Sequence, residues 1–173
     1  MPRPTVKPTR PQCSARPLIV GVPGKSMRRT IDIPPDRVVV AVILVWRGRI
    51  GLFRRSRQLS HDGGRWHCIT GFVESGVTPA DQALEELSEE TGLRHRDILS
   101  LVPGFALTIE DGLGQPWLVH AYVAETRVRR LTLNWEHDRY CWTSADKSRR
   151  FANSVQWLDL IIEATSGQHD ALR

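Results

Sequence analysis

Three glutamates stand close together in a pattern that could bind a metal ion. Glu86, Glu89 and Glu90 occupy positions i, i+3 and i+4 of a segment predicted to be helical, so at about 100° per residue they share one face. Like charges at these spacings cost roughly 0.2–0.5 kcal/mol per pair, and the helix dipole disfavours anions in the last turns. A bound cation would offset these costs, and ligands that are all oxygen favour Mg²⁺ or Mn²⁺. A solvated acidic face is the alternative explanation of the spacing.

The ends of this helix are marked in the sequence. Thr78 is a good N-cap, Pro79 suits the first helical position, and Asp81 stands where a capping-box acid reaches back. Gly92 predicts a left-handed stop. An apolar stripe opposite the glutamates predicts that this side packs on the protein; it consists of Ala80, Ala83, Leu84 and Leu87.

The stretch from Gly71 to Leu93 resembles the signature of the Nudix hydrolases, a glycine-bounded loop followed by a glutamate-rich helix. Gly71 matches the opening glycine, and the closing run matches in register at Glu86, Leu87, Glu89, Glu90, Gly92 and Leu93. The resemblance implies a Mg²⁺ or Mn²⁺ site formed by Glu86, Glu89, Glu90 and the Gly71 carbonyl. It also implies hydrolysis of a diphosphate linkage in a nucleoside diphosphate-X or pterin triphosphate compound.

Two residues depart from that signature. Val77 stands where the family has its first glutamate, and Glu85 replaces the arginine that is thought to orient the neighbouring acids. Because the expected metal ligands are retained, we expect catalysis to survive. The alternative is a degenerate Nudix domain that binds a nucleotide or a protein partner without turnover.

Further resemblances concern the substrate and the general base. Arg55 and Arg57 follow a predicted strand, and basic residues there often face substrate phosphates in the family; solvent-facing charge is the alternative. Trp66, followed by Ile-Thr-Gly, looks like the dihydroneopterin triphosphate pyrophosphatase branch, as does the later segment that begins Trp135-Glu136-His137. We therefore expect Arg55, Arg57 and Trp66 to bind substrate, and Glu136 or Glu89 to act as general base.

The rest of the chain predicts an α/β fold. Residues 38–46 form a β-branched run typical of a buried strand, and Arg47-Gly48-Arg49 turns the chain into a second strand at residues 50–53. Residues 105–109 and 117–123 read as further strands, and a closing helix is expected from an Asn153 cap to Gly167. With the signature helix these elements fit a Nudix-type α/β/α sandwich with a mixed sheet.

Charge and composition divide the chain into two parts. Residues 1–37 are rich in proline and carry eight basic and two acidic residues, a net charge of +6, whereas the whole chain has +5 and residues 38–173 have −1. We therefore predict a flexible basic extension over 1–37 and one Nudix domain over 38–173. A nucleic-acid partner, which would rest on the charge of the extension alone, is not favoured.

Partners and location are further expectations. No apolar run reaches the roughly 20 residues of a membrane span. Cys13, Cys68 and Cys141 are widely spaced and form no CxxC pair, so reduced thiols in a cytoplasm are expected. The expected partner is a small phosphate-containing substrate, and the family resemblance leaves a homodimer open.

Overall fold

The computed structural model describes residues 33–171, with side chains described as far as Gln168. A seven-stranded sheet is flanked by helices. Its elements are β1 (Val38–Trp46), β2 (Arg49–Arg55), β3 (Trp66–His67), β4 (Ile69–Phe72), α1 (Pro79–Thr91), β5 (Ile98–Glu110), β6 (Pro116–Thr126), β7 (His137–Thr143), α2 (Leu158–Ala164) and α3 (Ser166–Ala171). Short 3-10 helices cover Pro35–Arg37, His95–Asp97 and Ala145–Arg150.

The sheet is mixed, as the sequence predicts. The strand order is β3-β2-β1-β6-β5, with β4 also paired to β1 and β7 to β2. The β1–β6 pairing is parallel and the other strand pairs are antiparallel. The central strand β1 therefore carries the longest buried run, seven residues in a row.

Both faces of β1 are buried, which explains its uninterrupted apolar sequence. Ala41 and Ile43 pack in a cluster with Leu158 and Ile161 of α2. Val42 and Leu44 point the other way, into a second cluster that includes Ala83 and Leu87 of α1. The helices thus cover opposite faces of the sheet, and the α/β/α sandwich predicted from the sequence is confirmed.

Three further predictions can be compared with the structure. The turn after β1 is tight, with Arg47 at φ 48° and Gly48 at φ 69°, which matches the two-residue hairpin turn that suits sheet twist. β5 is longer than predicted, because pairing with β6 continues from Ile98 to Glu110. The predicted strand over residues 117–123 lies within β6.

The closing helix differs from the prediction. Asn153 does not cap it, because the Asn153 carbonyl accepts a hydrogen bond from the Trp66 N–H (2.8 Å) and the Val155 N–H donates to the Trp66 carbonyl (2.9 Å). This segment therefore runs beside β3, and α2 begins only at Leu158. Gly167 does not end the helical region either, since it lies inside α3.

The predicted N-terminal extension falls mainly outside the described residues, which begin at Ile33. At the predicted boundary, Pro35–Arg37 forms a 3-10 turn, and Arg37 Nη1 donates to Gln115 Oε1 at 2.6 Å. Within residues 33–171, no helix is long and apolar enough to cross a membrane.

Candidate metal and substrate site

Helix α1 carries two of the predicted metal ligands into the protein. Its first turn is capped by Thr78 Oγ1, which accepts from the Asp81 N–H at 3.2 Å, and Gly92 ends it at φ 70°. Glu86 and Glu90 are buried, with exposed fractions of 7% and 1%. Burying two carboxylates one turn apart is costly unless hydrogen bonds or cations surround them, so their burial favours a functional role over a solvated acidic face.

The Glu86 carboxylate lies directly against the backbone of β4 at Gly71. A Cβ atom built on Gly71 would collide with Glu86 Oε1, Cδ and Cγ, so only glycine leaves room for this side chain. Gln82 holds the same carboxylate, because Gln82 Nε2 donates to Glu86 Oε1 at 3.1 Å. Gln82 Oε1 also accepts from the Glu74 N–H at 3.1 Å, which ties the loop before α1 to the helix.

The Glu90 carboxylate contacts His137, the first residue of β7. Its Oε2 lies 3.5 Å from His137 Nδ1, and both side chains are 1% exposed. Glu136, the residue before His137, is also buried. Its carbonyl accepts from the Ser56 N–H at 2.7 Å, which fastens this loop to the end of β2. The fold therefore brings Glu136, the candidate base, next to the residue that contacts Glu90.

A pocket shares Gly71 with this group of residues. It is lined in part by Arg55, His67, Gly71, Phe72, Trp117 and Trp157. Arg55 is 5% exposed, and its Nε donates to the His61 carbonyl at 3.4 Å. The lining also includes His61 and the carboxylate of Asp62, so one cation, one anion, two histidines and three aromatic rings surround a cavity that reaches Gly71. Aromatic walls with a few polar groups are typical of a small-molecule site.

Burial and nearby charges shift the pKa of the Cys68 thiol. Burial raises the pKa of the Cys68 thiol well above its usual range, the charge of Glu90 raises it further, and Arg55 acts in the opposite direction. Glu90 and Arg55 are therefore both near enough to act on Cys68. At neutral pH this thiol is protonated and is not a nucleophile.

Three other predicted site residues lie outside this buried group. Glu89 is exposed on α1. Arg57 is exposed in the loop after β2, with its Cγ near Gly64. The Trp66 ring packs against Phe151, with ring centroids 5.0 Å apart, at the edge of the α2-side core. Their assigned roles as base and substrate contacts stay predictions.

The structure adds three residues that the sequence did not single out for the site. Gln82 could have been found, because it lies one helical turn before Glu86 and on the same face. His137 contacts Glu90 across the fold. His67 lines the pocket, its ring 4.4 Å from that of Trp157. Its Nδ1 accepts from the Cys68 N–H at 2.8 Å, which leaves the proton of a neutral ring on Nε2.

The residues present fit a divalent cation. The donors are carboxylate and carbonyl oxygens, which hard cations prefer, and Gly71 forms a cradle that any Cβ would fill. Over residues 33–171, no three His, Cys, Asp or Glu side chains are already grouped as a ligand set. Mg²⁺ is usually held by one or two carboxylates together with water and substrate phosphates.

The fold and the site define a class of protein: an α/β/α sandwich in which a glycine-bounded loop and an acidic helix meet beside a pocket. A profile of the NUDIX domain matches residues 35–162. The chain belongs to the NUDIX family.

Curated relatives align with part of the chain. An octanoyltransferase of Myxococcus xanthus is 41% identical over 61 residues, which are 35% of this chain and 17% of that protein. An RNA pyrophosphohydrolase of Gluconacetobacter diazotrophicus is 33% identical over 81 residues, which are 44% of this chain and 48% of that protein. This chain thus covers less than half of the length of either relative.

Solved structures share the fold over most of its length. The E. coli dihydroneopterin triphosphate pyrophosphohydrolase has a TM-score of 0.62 and 18% identity, covering 79% of this chain and 99% of that one. The NUDIX domain of Shewanella oneidensis NrtR, in complex with ADP ribose, has a TM-score of 0.60 and 16% identity, covering 76% and 87%. At this identity the similarity shows the fold alone.

Proposed function

We propose that this protein is a divalent-metal-dependent pyrophosphohydrolase. The observation that carries the proposal is the pair of buried carboxylates, Glu86 and Glu90, on one face of α1, with Glu86 seated against Gly71. Membership of the NUDIX family supports it. The proposed metal ligands are Glu86, Glu90 and the Gly71 carbonyl, with Glu89 on the same face. Mg²⁺ or Mn²⁺ bound there would supply Lewis-acid stabilisation of the phosphoryl oxygens.

The proposed substrate carries a diphosphate linkage with an organic group at one end or at both, such as a nucleoside diphosphate-X or a pterin triphosphate. Relatives named for RNA and for dihydroneopterin triphosphate, and a structure that holds ADP ribose, share this linkage. Arg55 would hold a phosphate, because a guanidinium pairs with two phosphate oxygens at once. The pocket rings of Trp117 and Trp157 would enclose the organic group.

In the proposed reaction, a water oxygen bonds to phosphorus while the bridging P–O bond breaks. The proton of the water passes to a carboxylate, and the leaving phosphate departs as an anion. Glu136 is the better placed base of the two candidates, because it is buried beside His137, whereas Glu89 is exposed. General-base assistance of this kind contributes roughly 10²–10⁴-fold.

A panel of compounds tests the proposal. Phosphate and pyrophosphate release are measured for nucleoside triphosphates, dinucleotides, sugar nucleotides, dihydroneopterin triphosphate and RNA with a 5′-triphosphate, first with Mg²⁺ and then with EDTA. We expect hydrolysis of at least one class that stops with EDTA. Protein that binds Mg²⁺ but hydrolyses none of them would refute the proposal.

A second candidate function is ligand binding without turnover, which the departures at Val77 and Glu85 favour. Glu85 is exposed at the position of the family's arginine, so no cation from this position orients the neighbouring acids. Restoring both residues, by Val77→Glu together with Glu85→Arg, separates the candidates. A large gain from almost no activity would favour the binding domain, and little change would favour a working enzyme.

Location is also a proposal. Cys68 and Cys141 are free thiols, which supports a reducing, cytoplasmic environment.

A further inference from the structure

The two buried carboxylates of α1 have different neighbours on the helix. Glu86 has Gln82 one turn before it, and Gln82 Nε2 donates to Glu86 Oε1 at 3.1 Å. Glu90 has Glu86 at the same spacing, and an ionised carboxylate cannot donate a hydrogen bond. Glu90 is also the more deeply buried of the two, at 1% exposure against 7%. Its burial therefore calls for a donor from another element of the fold.

His137 brings a ring nitrogen to Glu90 from β7. Its Nδ1 lies 3.5 Å from Glu90 Oε2, and both side chains are fully enclosed. This distance is longer than the roughly 2.7–3.2 Å of an N–H···O hydrogen bond, and contacts of this kind in active sites often tighten only in the reacting complex. A neutral ring that carries its proton on Nδ1 donates to the carboxylate. His137 is therefore placed to hold one oxygen of Glu90.

β7 contains one extra residue directly after His137. Along the ladder with β2, Arg139 pairs with Arg54 and His137 pairs with Arg55. In the ladder that the structure describes between these two strands, Asp138 has no partner, which is the pattern of a β-bulge. Its carboxylate is bound by Arg54, whose Nε donates to Asp138 Oδ1 at 2.7 Å. This ion pair fastens the extra residue to the neighbouring strand.

The extra residue sets the direction of the His137 side chain. In a regular strand the side chains alternate, so residues three apart point to opposite faces. Tyr140 and His137 are three apart, yet both rings lie against the ring of Phe53, at centroid distances of 6.4 and 5.6 Å. Phe53 belongs to the core cluster that packs under α1. The bulge therefore turns His137 to the face of the sheet that carries α1, and bulges beside functional sites commonly re-aim a side chain in this way.

We propose that His137 is a positioning residue of the metal site, which orients the Glu90 carboxylate from β7. This deepens the proposed function and rests on its metal site. The Nδ1–H of the neutral ring holds Oε2 and leaves Oε1 for the metal ion. Glu85 is exposed and brings no positive charge to this carboxylate, so the orientation comes from the bulged strand rather than from the preceding turns of α1.

Metal affinity tests this inference without a substrate. Mn²⁺ binding to the full chain is measured by electron paramagnetic resonance for wild type, His137→Leu, His137→Met and His137→Asn. Leucine and methionine have no donor, and methionine fits irregular space if leucine does not fold, whereas the asparagine amide nitrogen can take the place of Nδ1. Tyr140→Phe is the control on the same strand, because it removes hydrogen bonds to the Leu131 N–H and the Arg129 carbonyl.

We expect the variants without a donor to bind Mn²⁺ at least about tenfold more weakly, because loss of a group that holds a metal ligand typically costs roughly 10–100-fold in affinity. His137→Asn should stay within about threefold of wild type, because it keeps a donor. Tyr140→Phe should stay within about twofold, because it leaves the contact with Glu90 intact. Equal losses in Tyr140→Phe and the donor-free variants, or no rescue by asparagine, would overturn the inference.

A double variant shows whether His137 acts through Glu90. In Glu90→Gln the carboxylate that His137 holds is gone, so adding His137→Leu or His137→Met should change Mn²⁺ affinity by less than about twofold. A further loss as large as that in wild type would overturn the inference, because His137 would then affect the metal by another route.

Substrate turnover separates this inference from the proposed function. If the panel of compounds shows no hydrolysis, the proposed function fails, and a loss of Mn²⁺ affinity confined to the donor-free variants still supports the role of His137. Unchanged Mn²⁺ affinity in those variants would overturn the inference even if a substrate is hydrolysed. Wild type that binds no Mn²⁺ would overturn both.

Discussion

Replacing Gly71 with alanine tests the central contact of the site. The new Cβ would occupy the space of the Glu86 side chain, so the buried carboxylate must move away from β4 and from Gln82. Overpacking costs about 1–3 kcal/mol, and a hydrogen bond to a charged group contributes about 1.5–3 kcal/mol. Because the side chain can relax in part, we expect Gly71→Ala to lower the free energy of unfolding by about 2–4 kcal/mol.

A double-mutant cycle identifies Glu86 as the cause. Urea unfolding is measured for wild type, Gly71→Ala, Glu86→Ala and the double variant. With the carboxylate removed, the alanine at position 71 should cost less than about 1 kcal/mol, since neighbouring sites couple by roughly 0.5–3 kcal/mol. Gly167→Ala is the matched control, because a Cβ there meets nothing within 4 Å.

The result that would refute this reasoning is an equal cost of Gly71→Ala with and without the Glu86 side chain. The collision with Glu86 would then not explain why this position needs glycine. In the activity assay, Gly71→Ala should reduce metal-dependent turnover about as much as Glu86→Ala, because both displace the same carboxylate. Full activity of Gly71→Ala would show that catalysis does not depend on the contact between Glu86 and Gly71.

Further predictions concern the supports of the site and one acid-sensitive turn. Gln82→Ala removes the hydrogen bonds that join Glu86 to the Glu74 N–H, so we expect a loss of about 1–3 kcal/mol in urea unfolding and reduced turnover; unchanged stability would show that Gln82 does not hold the loop. Thr78→Ala removes the α1 N-cap and should cost about 0.5–2 kcal/mol, whereas Thr78→Ser should cost little. Burial opposes ionisation of Asp111, but hydrogen bonds from two backbone N–H groups and from the Trp117 indole outweigh it and lower its pKa below 3.8. The stability that ionised Asp111 contributes is therefore present above about pH 4 and lost as the pH falls through its folded-state pKa. Asp111→Asn should be less stable than wild type at pH 7 and approach it in acid; a difference that does not depend on pH would contradict the assignment.

Local signals in the sequence were strong where a residue's neighbours in the chain decide its structure. The apolar run of β1 is found at the predicted bounds, Val38–Trp46, because a strand buried on both faces has no polar positions. The cap at Thr78 and the stop at Gly92 act within one turn of α1, and both are confirmed. The spacing of Glu86 and Glu90 likewise placed both on a single face.

Contacts between distant segments could not be predicted in the same way. The interaction of Glu90 with His137 depends on β7 pairing with β2, which no local pattern specifies. The same is true of Asn153, whose sequence suits a helix cap but whose backbone pairs beside β3. The contact of Arg129 with Trp46 likewise could not be predicted, because these residues come together only in the folded chain.

The burial of Glu90 distinguishes the proposed ligand set most sharply from its exposed neighbours. Glu90 is 1% exposed and contacts His137, whereas Glu85 on the same helix is exposed and belongs to no proposed ligand set. Glutamine keeps the shape of either side chain and removes its charge. A comparison of Glu90→Gln with Glu85→Gln therefore isolates the buried charge from the general acidity of α1.

The metal-site assignment is tested most directly by Mg²⁺-dependent turnover of wild type, Glu90→Gln and Glu85→Gln on the best substrate of the panel. We expect Glu90→Gln to lose at least about a hundredfold in kcat, which corresponds to about 2.7 kcal/mol of transition-state stabilisation. Glu85→Gln should stay within a few fold of wild type. Undiminished turnover by a folded Glu90→Gln variant would contradict the assignment of the metal site to the buried face of α1.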